Sequence, residues 1–174
     1  MKINLETERL KLINFTDEMI SNEYLSWLND KSLMKFSEQR HKTHDFDSSL
    51  KYLNSFKGSD NLFLGIFTKK NNIFIGTITA YLDKHNSVVD FGILIGSSKA
   101  KSKGYGLEAW KALTEFYLKF PVRKITAGTM ASNKGMIAIC EKAGMKLESV
   151  KKDHFVYRNE LQDLYFFSRF NDQI

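Results

Sequence analysis

Val88-Val-Asp-Phe-Gly-Ile-Leu-Ile-Gly-Ser-Ser-Lys-Ala-Lys-Ser-Lys-Gly-Tyr-Gly-Leu-Glu-Ala-Trp110 is the stretch that decides how the rest of the chain reads. Val88 to Ile95 is apolar and rich in β-branched residues, the pattern of a buried strand. A short basic loop with Lys99, Lys101 and Lys103 follows it. Gly104 and Gly106 then open an amphipathic helix carrying Leu107, Trp110, Leu113 and Tyr117 along one side. Such a turn is a natural anion site. Glycines let the backbone approach a phosphate, and the first-turn amides of a helix have no intrahelical acceptor. Nearby lysines add full charges to that partial positive end.

The turn lacks the Gly-Lys-Ser/Thr of a P-loop, and a dinucleotide fingerprint would need glycine at the place of Ala109. Lys101-Ser-Lys-Gly-Tyr-Gly106 resembles the pyrophosphate loop of the GNAT acyl-CoA N-acetyltransferases, Gln/Arg-x-x-Gly-x-Gly/Ala. Lys101 stands where that family has Gln or Arg. Taken alone, the turn is equally a helix start that contains two glycines.

Composition narrows the alternatives. The chain of 174 residues reads as a single domain, 1–174, with room for one core. A hydrophobic share of 43% beside 26% charged residues is that of a soluble globule. No run of about 18 apolar residues is present, so no membrane partner is expected. The N-terminal Met-Lys-Ile-Asn-Leu-Glu-Thr-Glu-Arg is too charged for a secretory signal. Cys140 is the one cysteine and the four histidines show no helical metal-ligand spacing, so no metal is expected. These features fit a cytoplasmic protein. The net charge of +6 suits an anionic ligand or acceptor. The lysines are scattered, with no arginine-rich or zinc-finger pattern, so nucleic acid is not the expected partner.

In chain order, Leu5–Ile13 alternates as a first strand. Thr16 is placed to cap a helix beginning at Asp17 and Glu18, carrying Tyr24, Leu25, Trp27 and Leu28 and breaking near Asn29-Asp30. Ser37 to His44 is polar loop. A second helix starts near Asp45–Asp47 and ends about Phe56, with Leu50, Leu53 and Phe56 inward. Leu62–Thr68 and Ile73–Leu82 are strands about the turn Lys69–Asn72. The central helix stops before Pro121, and Val122–Met130 is a further strand. A short helix spans Lys134 to Lys142 with Gly144 as its stop. Residues 145–156 and 161–170 close the chain as a hairpin.

The order β-α-α-β-β-β-α-β-α-β-β combines an antiparallel meander with one β-α-β crossover, so the sheet is mixed. This is also the GNAT order. Glu8-Arg9-Leu10 looks like the opening strand of the branch that includes ribosomal-protein alanine acetyltransferases and amino-sugar acetyltransferases. Ala131-Ser-Asn-Lys-Gly-Met-Ile-Ala-Ile-Cys-Glu-Lys-Ala-Gly-Met145 resembles its later motif, and Asp163 sits where the branch has an aspartate. The resemblance implies an α/β (α+β by some schemes) GNAT fold. Its sheet would be mixed and mostly antiparallel, with about seven strands, flanking helices, and a splay between the fourth and fifth strands. It also implies acetyl-CoA as co-substrate. Ile93, Leu94 and Ile95 would lie along the pantetheine, Lys101, Ser102, Lys103, Gly104, Tyr105 and Gly106 at the pyrophosphate, and Asn133 against the cofactor. Asn133 is equally readable as a helix cap.

Amide formation from a thioester needs a neutral amine in attack position, donors for the oxyanion, and routes for protons. Asp90, Glu38 and His41 are the candidate bases, with His44 also in reach of that role. Asp90 is equally readable as a strand carboxylate bonded to a neighbour. Cys140 takes the place of a tyrosine that many relatives use to protonate the thiolate. It reads as core filler, leaving Tyr105, Tyr157 or water as the acid. Trp27, Arg40 and His44 are the candidate substrate-binding residues, Trp27 to stack on a sugar and Arg40 to meet a phosphate. The expected acceptor is a small anionic amine such as an amino-sugar nucleotide. The alternatives are a protein N-terminus, which needs an open groove between the acceptor loop and the last hairpin, and a non-catalytic acyl-CoA-binding domain. A monomer or homodimer fits either.

Overall fold

The computed structural model describes residues 3–172 and 174. Eight strands form one sheet: β1 (Asn4–Glu6), β2 (Leu10–Asn14), β3 (Leu62–Thr68), β4 (Phe74–Asp83), β5 (Val88–Ile95), β6 (Lys124–Met130), β7 (Lys146–Tyr157) and β8 (Glu160–Phe170). Their spatial order is β1-β2-β3-β4-β5-β6-β8-β7. Every neighbouring pair is antiparallel except β5 and β6, which α3 (Tyr105–Tyr117) joins as a parallel crossover. The other helices are α1 (Asn22–Asn29), α2 (Phe46–Asn54) and α4 (Lys134–Lys142).

Eight strands replace the expected seven because Leu5–Ile13 is a hairpin rather than one strand. The Thr7 hydroxyl accepts from the Leu10 amide at 2.8 Å while the Thr7 amide donates to the Leu10 carbonyl at 2.9 Å, which folds the chain back at Glu8. The first helix also starts later than expected. Asp17–Met19 is a single 3₁₀ turn, Thr16 makes no side-chain cap, and Ser21 caps α1 by accepting from the Tyr24 amide at 3.2 Å. The loop 37–44 contains a 3₁₀ turn, Glu38–His41. Asp45 and Ser48 form a reciprocal capping box on α2. Gly144, at φ +77°, ends α4 as its sequence suggests. The last hairpin turns on Arg158 and Asn159, both at positive φ.

The sheet has a core on each face. Trp110 and Leu113 of α3 and Cys140 of α4 pack with Val89, Phe91, Ile78 and Ile125 on one. Phe15, Ile20, Tyr24, Trp27, Leu53 and Phe63 form a smaller, aromatic core under α1 and α2 on the other. On that second face the strand alternation puts Thr77, Thr79 and Tyr81 of β4 beside Leu94, Gly92 and Asp90 of β5. The parallel pairing of β5 with β6 stops after Val88↔Lys124, Val89↔Ile125 and Asp90↔Thr126. Beyond Asp90 the strands splay, and Phe91–Ile95 presents a backbone edge with no strand beside it. This is the splay expected between the fourth and fifth sequence-read strands.

Candidate active site

The mouth of the splay meets the loop that ends at α3. A 3₁₀ turn at Ser98–Ala100 is followed by Ser102 and Gly104, both in left-handed backbone conformations at φ +58° and +77°. Among the described residues, the amides of Ser102, Gly104, Tyr105, Gly106 and Leu107 donate to no protein acceptor. Successive free amides beside left-handed residues form a concave anion nest at the positive end of a 13-residue helix. Lys99, Lys101 and Lys103 surround it, with no acidic partner among the described residues. A Cβ on Gly106 would stand 3.2 Å from Ile139 Cδ1 and 3.5 Å from Ile95 Cγ1. Glycine therefore keeps the floor of the splay low between Ile93, Ile95 and α4.

Arg9 braces this loop. Its Nε and Nη2 reach Glu108 Oε2 at 2.7 and 2.6 Å, its Nη1 donates to the Lys103 carbonyl at 3.1 Å, and its guanidinium lies 4.8 Å from the centre of the Tyr105 ring. The Thr7 hydroxyl donates to Glu108 Oε1 at 2.6 Å. Burial alone would raise the Glu108 carboxyl; the Thr7 hydroxyl and the Arg9 amide and guanidinium outweigh it and hold the group below its ordinary value. The sequence shows Glu8-Arg9-Leu10 only as a strand motif. Its tie to Lys103 is visible only in three dimensions.

On the α1/α2 face of the splayed strand lies a cavity of about 380 Å³. Thr77, Thr79, Gly92 and Leu94 form its floor, Tyr24 and Leu28 of α1 and Ser49 and Tyr52 of α2 its walls, and Lys42, Thr43 and His44 its rim. Its lining is rich in hydroxyls and contains no carboxylate. Burial pushes the Tyr24 and Tyr52 phenols above their ordinary range, so both stay protonated. A larger cavity, about 830 Å³, lies at the opposite end of the sheet between α2 and Phe116–Val122. It touches neither the anion nest nor the splay, so size does not make it the site.

Several residues singled out from the sequence stand elsewhere. Trp27 is only 6% exposed and packs over Gly96, whose added Cβ would lie 2.0 Å from Trp27 Cδ2. It is core and offers no face to a sugar. Arg40, its side chain 9% exposed, is a brace rather than a free anion receptor. Its Nη1 meets Glu38 Oε1 at 2.5 Å and the Ser37 carbonyl at 3.0 Å, and its Nη2 meets the Val156 carbonyl at 3.1 Å. Glu38 and His41 are exposed and pair with each other at 3.8 Å outside the cavity lining, so neither is placed as the base. His44 does line the cavity, with Nε2 3.2 Å from the Gln39 carbonyl.

Asp90 stands at the vertex of the splay. The Thr126 hydroxyl donates to its Oδ1 at 2.6 Å, but burial dominates and raises the carboxyl above its ordinary value. Asn133 caps α4, accepting from the Met136 amide at 3.2 Å and donating to Thr129 at 3.0 Å, so both ends of its amide are engaged. Cys140 is fully buried and its thiol is pushed up to about 12, chiefly by burial. It remains a neutral packing group. No cluster of three metal-ligating side chains exists among the described residues, and none of their helices is long and apolar enough to cross a membrane.

The family model described as acetyltransferase (GNAT) domain matches residues 9–146. The chain belongs to the GNAT acetyltransferase family. Solved GNAT structures carry the same fold over nearly the whole length. A GNAT acetyltransferase from Bacillus anthracis shares 21% identity at a TM-score of 0.82, covering 98% of this chain and 99% of its own. RimL, a ribosomal L7/L12 α-N-protein acetyltransferase in complex with coenzyme A, shares 14% at 0.84, covering 99% and 100%. The microcin C7 self-immunity acetyltransferase MccE, in complex with acetyl-CoA and AMP, shares 16% at 0.80, covering 94% and 93%. No curated protein sequence matches the chain significantly. Within this GNAT fold, sequence reasoning passed over Tyr24, Ser49, Tyr52, Thr77 and Thr79. The period-two row Thr77, Thr79, Tyr81 in an otherwise apolar strand was the available signal for a polar floor.

Proposed function

We propose that this GNAT enzyme moves the acetyl group of acetyl-CoA to the primary amine of a small, hydroxyl-bearing acceptor, and that an amino sugar is the class it fits best. The observation that carries this reading is a bridge between the acceptor loop and the last hairpin. Arg40 reaches from the 3₁₀ turn Glu38–His41 to the Val156 carbonyl, and Phe36 and Tyr157 lie 6.4 Å apart, so the acceptor loop and the last hairpin are bridged. A protein N-terminus needs that passage open. In the cavity on the α1/α2 face, hydroxyls of Tyr24, Tyr52, Ser49, Thr77 and Thr79 suit a polyol better than an apolar or cationic side chain. Among the described residues that line the cavity, Lys42 is the lysine, and it would face the phosphate of a nucleotide-linked sugar.

On this reading the α3 anion nest and its lysines hold the pyrophosphate, and Gly106 keeps room for pantetheine along Phe91–Ile95. The free edge of β5 near Ile93 or Leu94 supplies an amide to the thioester oxygen as negative charge develops there. The amine nitrogen bonds to the carbonyl carbon, the C–S bond breaks, and the thiolate leaves protonated. The test is coenzyme A release across amino sugars, their nucleotide-linked forms, polyamines, aminoglycosides and Ala- or Ser-terminated peptides. The reading expects amino sugars first. Peptides or polyamines outrunning them would overturn it, and tight acetyl-CoA binding with no turnover of any amine would make the domain non-catalytic.

A further inference from the structure

We infer that the larger cavity, about 830 Å³ at the end of the sheet remote from the splay, is a second ligand site and takes an aromatic carboxylate. Acetyl transfer as read above makes no use of it, and the inference stands whatever amine the enzyme acetylates. Its volume falls within the roughly 300–1,000 Å³ of small-molecule sites.

Two aromatic walls enclose it. Phe15, Phe56 and Phe63 stand on the α2 side, with ring centres 4.2 Å apart for Phe15 and Phe63 and 5.2 Å for Phe56 and Phe63. Phe116, Tyr117 and Phe120 stand at the end of α3, with 5.3 Å between Phe116 and Tyr117 and 4.8 Å between Phe116 and Phe120. Among the described residues no ring of one wall touches a ring of the other. The gap between the walls is the cavity, and a planar ring placed there meets aromatic faces or edges on both sides.

The polar groups decide what that ring carries. Tyr117 is 4% exposed, yet its hydroxyl has no hydrogen-bond partner among the described residues. Burial, with the Asp60 carboxylate adding to it, raises the phenol above its ordinary value, so it stays a donor. The turn that carries Asp60 also brings Lys57, whose ammonium pairs with no carboxylate among the described residues, and Asn61, whose side-chain nitrogen is likewise free. The acceptors beside these donors are engaged. Asp60 meets Lys84 at 2.5 Å, Asn61 Oδ1 accepts from the Leu82 amide at 2.8 Å, and Ser59 Oγ accepts from the Asn61 amide at 3.3 Å. Asp17, exposed at the rim with Oδ1 accepting from the Glu18 amide at 3.1 Å, is the feature that would favour a cation. Free donors outnumber free acceptors, and the two oxygens of a carboxylate answer them.

Phe63 lines this cavity and the acceptor cavity alike, so the test has to tell which one is filled. Calorimetry on the full chain compares indole-3-acetate with indole, octanoate and tryptamine, with and without saturating coenzyme A. Indole-3-acetate should bind tightest, with a Kd that coenzyme A leaves unchanged. Tyr117→Phe keeps the ring and should weaken it at least about tenfold, the loss of a buried hydrogen bond to a charged group. Lys57→Met should weaken it about threefold, as an exposed ammonium does, and its exposure keeps that variant folded. Lys42→Met, at the rim of the acceptor cavity, should leave it unchanged. Octanoate binding as tightly overturns the aromatic class; indole or tryptamine binding as tightly overturns the carboxylate. The site itself is overturned if none of the four binds at millimolar concentration, if coenzyme A competes, or if Lys42→Met abolishes binding that Lys57→Met leaves intact.

Discussion

Replacing Gly106 by valine is the perturbation that most directly probes the cofactor end of the site. The first added carbon already stands 3.2 Å from Ile139 Cδ1, 3.5 Å from Ile95 Cγ1 and 4.0 Å from Ile93 Cδ1. An alanine needs Ile139 to give by a few tenths of an ångström, and that residue's flexible tip allows it. Valine adds two methyls that have to enter the floor of the splay or push Ile93 and Ile95 aside. Overpacking of this kind costs roughly 1–3 kcal/mol. If that strain falls on the bound state, acetyl-CoA Kd rises about tenfold or more, since a factor of ten is about 1.4 kcal/mol. Gly106→Ala should stay within about threefold, or about 0.6 kcal/mol. Gly135→Ala serves as a steric control, because the nearest atom to its added Cβ is Asn133 Oδ1 at 3.8 Å, an ordinary contact. Calorimetry gives Kd and a thermal melt confirms folding. A folded Gly106→Val protein that binds acetyl-CoA as tightly as wild type would refute the placement of the donor.

Other expectations follow from single residues. Cys140→Ala should keep most of kcat while losing about 1 kcal/mol in chemical denaturation from packing; a hundredfold fall in kcat would make the thiol a participant. Glu108, whose carboxyl is held below 4.5, stabilises the fold fully above pH 4.5 and loses that contribution as pH falls through its lowered value. The gap in urea midpoint between wild type and Glu108→Gln should accordingly be widest above pH 4.5 and close below it. Asp90 runs the other way. Its carboxyl is raised above 3.8, so its ionisation costs stability as pH rises through that raised value. Asp90→Asn, which keeps an acceptor for Thr126, should melt higher than wild type at neutral pH and no higher below pH 3.8. Loss of two decades in kcat in that variant would instead make Asp90 the base.

The sequence was most legible where the structure is local. Val88 to Trp110 reads correctly because a β-branched run, a glycine turn and a helical stripe each report on their own backbone, and the crossover fixes a parallel pair. The opening hairpin was missed because its turn is closed by the Thr7 side chain rather than by glycine or proline. The acceptor side was misread for a different reason. Trp27 and Arg40 have the right chemistry for a ligand, but what occupies them is far away in sequence: Gly96 beneath the indole, and the Val156 carbonyl 116 residues beyond Arg40. Composition cannot show that a donor is already engaged. Conversely, Tyr24 reads as one more residue on the apolar side of its helix, and Tyr52 has no place in the reading, until the cavity between those helices and β4 is seen.

The central claim is that the bridged groove makes this a small-acceptor enzyme. It is tested most directly by the ratio of kcat/KM for an amino hexose over that for an Ala-terminated peptide, in wild type and in Arg40→Ala. The account predicts a wild-type ratio well above one that falls on removal of Arg40, as the link to Val156 is released and the peptide gains access. A wild-type ratio below one, or a ratio that Arg40→Ala leaves unchanged, would contradict it.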